Sequence, residues 1–168
     1  YTYEDYCKIS NDKRYELIEG ELLMTPSPVT RHQRISRRLE FILEKFITKN
    51  NLGELFDAPY DVYFDNENVV QPDLLFISKD SLHIIGEKNV HGAPDLVIEI
   101  ISENSAYRDM VQKKKLYAKF GVKEYWVVIP EGEEIEIYTL KDKTFQLYKT
   151  YGKDNTLESS LLEGLKIG

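Results

Sequence analysis

The stretch LVIEII (96–101) is apolar at every position except Glu99. A continuous apolar run of this length is the pattern of a strand covered on both faces, and strands of that kind are reached through crossover connections. The next residues meet that demand: a helical segment from Ser105 to Phe120 stops at Gly121, and a second buried run, EYWVVIP (124–130), follows. Strand, helix and strand in that order predict a right-handed parallel crossover inside a mixed β-sheet, hence an α/β fold.

The other segments add to that sheet. Tyr3 to Ile9 has a short helical pattern, and RYELIEGELLM (14–24) predicts two short strands turning at Gly20. Ser27 and Pro28 offer an N-cap and a first-turn proline for a long helix, in which Ile35, Leu39, Ile42 and Phe46 form one apolar stripe. Residues 54–64 and 69–77 predict two strands paired as a hairpin across Asp65-Asn66-Glu67-Asn68, and IEIYTL with TFQLYKTY predicts another near the end. Neither a repeat nor a linker divides the 168 residues, so a single domain spanning 1–168 is expected.

Charge and cysteine content narrow the function. A net charge of −7 argues against a protein that coats nucleic acid nonspecifically. Between residues 28 and 52, however, Arg31, Arg34, Arg37, Arg38, Lys45 and Lys49 face only Glu40 and Glu44, a local excess that a polyanion could meet. Cys7 has no partner for an internal disulfide, and His83 and His91 show no zinc spacing. No apolar run is long enough to span a bilayer and no basic-then-apolar signal segment is present, so a cytosolic protein is expected.

The charged residues inside apolar runs carry the chemistry. Asp73 lies in VVQPDLLFI (69–77) and Glu99 in PDLVIEII (94–101), and an unpaired buried carboxylate costs several kcal/mol. Asp95 and Glu99 share a strand face but stand roughly 13 Å apart at ~3.3 Å per residue, too far to share one ion. Asp73 comes from another strand and can approach Glu99, so the first Pro-Asp pair is the informative one. Two carboxylates, with the carbonyl of Ile100 as a further oxygen ligand, suit Mg²⁺. On the following helix Ala106, Met110, Lys113, Tyr117 and Phe120 form one stripe, which turns Lys113 inward and leaves Lys114 and Lys115 toward water. An inward ammonium there could orient a water and help deprotonate it, or stabilise a phosphorane-like transition state. Against this stand simpler readings: Asp73 and Glu99 at solvent-facing strand ends, and Lys113 paired with Asp109 at i, i+4.

At these residues the sequence resembles the PD-(D/E)XK nuclease superfamily and, more closely, the Uma-two (Uma2) family of endonucleases. The resemblance runs through YELIEGELLM, HQRI (32–35), VVQPD, GAPDLVIEIIS, the Asp109, Lys113, Tyr117 ladder, GVKEYWVV and EGLKIG. It implies a restriction endonuclease-like core and Mg²⁺- or Mn²⁺-dependent hydrolysis of DNA phosphodiesters. It further implies that Asp73 and Glu99 are metal ligands, that Lys113 replaces the lysine that Ile101 cannot supply, and that Glu16 contacts the metal through water. Gln71 and His32 match further recurrent positions. Glu103 departs from the more usual Ser-Pro.

Simpler roles exist for the added residues: an exposed strand position for Glu16, a hydrogen-bonded structural histidine for His32, and core packing rather than base stacking for Tyr125 and Trp126. The expectation is therefore a DNA endonuclease, acting as a homodimer because two strands need two sites. Its rivals are a noncatalytic nucleic-acid-binding or regulatory module on the same fold, and a nuclease acting on RNA or another phosphate-bearing substrate.

Overall fold

The computed structural model describes residues 1–168. Helix α1 (Tyr3–Cys7) leads into strands β1 (Arg14–Ile18) and β2 (Glu21–Thr25), then helix α2 (Thr30–Asn50). Strands β3 (Gly53–Asp57), β4 (Asp61–Asp65), β5 (Asn68–Val70) and β6 (Leu74–Ser78) follow, with a 3₁₀ turn (Lys79–Ile84), β7 (Asn89–His91) and β8 (Leu96–Ile100) after them. A π-helical turn (Arg108–Gln112) runs into α3 (Lys113–Phe120), and β9 (Glu124–Ile129), β10 (Glu134–Lys141), β11 (Thr144–Tyr151), β12 (Leu157–Glu158) and β13 (Lys166–Ile167) complete the chain.

A six-stranded sheet in the order β11-β10-β9-β8-β6-β3 lies against a five-stranded one in the order β2-β1-β5-β4-β7. Within the larger sheet β8 and β9 are parallel, joined through α3 as the crossover pattern requires, and the other neighbours are antiparallel. Gly121 ends α3 at φ +94°, a left-handed conformation that glycine adopts without steric cost. Side chains alternate strictly. Leu96, Ile98 and Ile100 of β8 join Leu74, Phe76, Trp126 and Val128 in a core covered by Leu39, Leu43 and Ile47 of α2. Val97, with Leu75, Ile77, Tyr125 and Val127, faces the opposite core, covered by Leu116 and Tyr117 of α3 and by Ile18, Val62 and Val70 of the smaller sheet. Tyr125 and Trp126 are packing residues.

Two expectations need correction. Helix α2 starts at Thr30 after Val29, which makes no side-chain cap, rather than at Ser27 and Pro28. Pro26 and Pro28 each bias the residue before them toward extended backbone, and the segment lines a cleft before the helix begins. The predicted pair of long strands is one bent hairpin: β4 pairs with β5 in the smaller sheet and β3 with β6 in the larger. Pro59 and Pro72 lie at the two breaks, where a residue without N–H cannot serve a ladder. Asp73 thus sits at the bend, not inside a strand.

The C-terminal segment is tied to the larger sheet by Glu124, a buried carboxylate. It accepts from Trp126 Nε1 at 2.6 Å, Ser159 Oγ at 2.7 Å, Ser160 Oγ at 3.1 Å and Leu161 N at 3.0 Å. Glu124→Ala leaves these donors unpaired and is expected to cost about 3 kcal/mol. The checks are a lower urea midpoint and faster proteolysis after residue 151; an unchanged midpoint would refute the tether.

Candidate active site

The bend frees backbone N–H groups that a ladder would have used. The N–H of Asp73 donates to Glu99 Oε1 at 3.1 Å, and the N–H of Ile100 donates to Asp73 Oδ2 at 2.7 Å. The N–H of Gln71 donates to Glu16 Oε2 at 2.7 Å. Glu99 shares the strand face of Val97 and so points toward α3, where Lys113 Nζ lies 2.6 Å from Glu99 Oε2, 2.6 Å from Glu16 Oε2 and 3.6 Å from Asp109 Oδ1. The Tyr117 hydroxyl donates to the same Glu99 oxygen at 2.7 Å. Glu16 is 2% exposed and comes from β1 of the other sheet, so the exposed-strand reading of it fails. Glu99 and Lys113 are equally hidden from solvent.

His32, in the first turn of α2, holds Nε2 3.1 Å from Asp73 Oδ1, while its buried Nδ1 has no partner. Gln71 links Arg14, Asp61 and Tyr6 through its side-chain amide. Asp95 stays apart at the far end of β8, accepting from Ser78 N at 2.7 Å and paired with Lys123 at 3.2 Å. His91 packs on Tyr63.

Arg108 gives no periodic signal in the sequence, yet its guanidinium reaches Glu16 Oε1 at 3.4 Å and the Met24 carbonyl at 3.0 Å. The π-turn explains this. Its i→i+5 closure sets Lys113 over the gap between Arg108 and Asp109, so all three face the cluster. Asp109 was legible only as a helical neighbour of Lys113; its burial was not.

The electrostatics follow from burial and crowding. Burial pushes the Glu99 carboxyl well above the usual carboxylate range, with Lys113 opposing and Asp109 adding to the rise. Burial likewise pushes Asp109 up to about 6, again against Lys113 and with Glu16. Burial alone would lower the Lys113 ammonium, but Glu16, Glu99 and Asp109 together outweigh it and raise it above its ordinary value. Lys113 therefore keeps its proton at neutral pH, and a role for it in taking a proton from water is dropped. His32 is raised by its hydrogen bond to Asp73, against burial.

The cluster floors a cleft of about 720 Å³ whose walls carry Arg14, Arg31, Arg37 and Arg108 beside Glu40, Asp57, Glu103 and Glu131. Four carboxyl groups gather around the two fixed cations Lys113 and Arg108, so ionising all four would leave two negative charges, the load that one divalent ion would balance. No three His, Cys, Asp or Glu side chains form a closed metal cage. That is compatible with Mg²⁺, which commonly takes one or two carboxylates and fills its shell with water and phosphate.

A family model described as "Putative restriction endonuclease", Uma2, matches residues 1–168. The chain belongs to the Uma2 family. A crystal structure described as a putative nuclease belonging to DUF820, from Anabaena variabilis, aligns with a TM-score of 0.80 and 16% identity, covering 96% of this chain and 90% of that one. At that identity the likeness shows the fold, which is the restriction endonuclease-like α/β fold anticipated above. No protein of curated function matches. Uma2 membership makes this a chain of a nuclease family. No helix is long and apolar enough to cross a membrane.

The raised Asp109 carboxyl sets a pH dependence. Its folded value of about 6 exceeds the ordinary 3.8, so between those limits the folded state binds the extra proton and stability falls as pH rises. Asp109→Asn removes this slope. Its stability relative to the wild type should climb from about pH 4 to 6 and level off above, by up to about 3 kcal/mol. Urea unfolding at a series of pH values checks it, and a flat difference curve would contradict it.

Proposed function

We propose that the protein is a metal-dependent DNA endonuclease in which Asp73, Glu99 and the Ile100 carbonyl hold Mg²⁺ or Mn²⁺ beside the scissile phosphate. The observation that carries this is the meeting of Asp73, at the bend before β6, with Glu99 of β8 at the floor of a cleft with four arginines on its walls. The donor set fits such an ion. In an extended strand the N–H and C=O of one residue point to the same edge; the N–H of Ile100 reaches Asp73, so its carbonyl faces that edge too. The excess of four carboxyl groups over two fixed cations supports the same assignment. A bound ion supplies Lewis-acid polarisation of the phosphate and lowers the pKa of a coordinated water.

The chain's own residues do the rest. Lys113, held charged by Glu16 and Asp109, positions the attacking water and offsets charge on the phosphoryl oxygens. Glu16 sets the height of that ammonium and would reach a bound ion through water, with the Gln71 N–H fixing Glu16 in turn. His32 orients Asp73. Arg14, Arg31, Arg37 and Arg108 meet the substrate backbone, helped by the N-terminus of α2, whose first N–H groups have no side-chain cap. Cleavage of both strands takes two copies related by a two-fold axis, so the active form is a homodimer.

The test couples binding to turnover. Mn²⁺ titrated by calorimetry should find one site in the wild type and bind at least tenfold more weakly to Asp73→Asn, with duplex DNA cleavage reduced by about 10² or more. Lys113→Met should abolish cleavage, and because it leaves three buried carboxyl groups without their shared ammonium it should also cost about 3–5 kcal/mol. Glu99→Gln, nearly isosteric, separates loss of activity from loss of fold. Equal Mn²⁺ affinity in Asp73→Asn, or faster cleavage of RNA than of DNA by the wild type, would overturn the assignment.

A further inference from the structure

Helix α2 buries Leu39, Leu43 and Ile47 on one side and has a second face that the cleft does not use. The helix carries six of the chain's 22 Lys and Arg residues, Arg31, Arg34, Arg37, Arg38, Lys45 and Lys49, but only two of its 29 Asp and Glu. All six are exposed. At about 100° per residue they occupy the arc opposite the buried stripe, while Glu40 and Glu44 stand at its edge toward the cleft. In the middle of this arc is Phe41, 68% exposed. Its neighbours at i−4, i−3, i+3 and i+4 are Arg37, Arg38, Glu44 and Lys45, so an apolar ring is set among three cations and one acid.

An isolated exposed aromatic needs no explanation, but this one lies in a basic arc that continues out of the cleft. Arg37 and Glu40 line both the cleft and the shallow surface that carries Phe41, Glu44, Lys45 and Lys49, where three cations stand against two acids. Phe41 follows one turn later, about 6 Å along the axis. Cations that track a phosphate chain around an aromatic platform for an unpaired base form the usual pattern of single-strand recognition. A duplex keeps its base faces in the stack and cannot use the ring.

We infer that the outer face of α2 is a docking surface for single-stranded DNA leaving the cleft, with a base stacked on Phe41 and the backbone held by Arg34, Arg37, Arg38 and Lys45. This rests on the nucleic-acid reading of the cleft but not on its metal, so binding is measured in EDTA. With a labelled single strand of about 12 nucleotides and the same sequence as duplex, Phe41→Ala should weaken single-strand binding about tenfold and duplex binding less than twofold. Phe41→Trp should keep the affinity and show fluorescence quenched by the single strand only, because Trp126 is fully buried and reports nothing. Replacing Arg34 and Arg38 by Gln should lower the salt slope of single-strand binding by about 1.4.

Equal loss for both DNA forms, no quenching, or no single-strand binding by the wild type would overturn the proposal. So would a dimer that Phe41→Ala converts to monomer in sedimentation, since the face would then belong to a second copy. A wild type that binds single strands through Phe41 yet neither cleaves DNA nor takes up Mn²⁺ would uphold the docking surface and remove the metal-nuclease assignment.

Discussion

One ammonium, that of Lys113, is shared by carboxylates from three parts of the chain: Glu16 of the smaller sheet, Glu99 of the larger, and Asp109 of the π-turn. Each acid is buried, and each alone would be an uncompensated charge that the interior cannot tolerate. The ion cluster is therefore a joint between the two sheets and α3 as well as the floor of the cleft. Its carboxyl groups outnumber its fixed cations, since Asp73 adds a fourth and Arg108 only one further cation. The raised carboxyls of Glu99 and Asp109 record that residual crowding after burial.

The same region uses an irregularity of the sheet. Where the hairpin passes from one sheet to the other, residues 71–73 leave the ladder, and the N–H groups of Gln71 and Asp73 become donors to Glu16 and Glu99. A regular strand through this point would have turned those donors to a neighbouring strand instead. Backbone N–H groups thus fix one oxygen each of Glu16, Asp73 and Glu99, beside the side-chain contacts of Lys113, Tyr117, His32 and Arg108.

Local periodicity made part of this legible. The strand, helix, strand order around α3 followed from hydrophobic pattern alone, as did the inward turn of Lys113 and Tyr117, because both depend on geometry within one element. Spacing along β8 separated Asp95 from Glu99, and the structure keeps Asp95 on a different set of partners. The helix start at Thr30, the break in each strand of the bent hairpin and the π-turn were not visible, since prolines and a widened turn interrupt the very periodicities that such inference uses.

By itself, then, the amino-acid order determined a mixed α/β fold and an inward lysine after an acid-bearing strand: burial at a fixed period requires only near neighbours. Which charges meet was decided by tertiary structure. Glu16 looks like any alternating strand residue, Arg108 like any surface arginine, and His32 like an ordinary first-turn histidine. Their convergence depends on sheet order and on the bend at residues 71–73, and electrostatic energy between residues dozens of positions apart has no local signature in the chain.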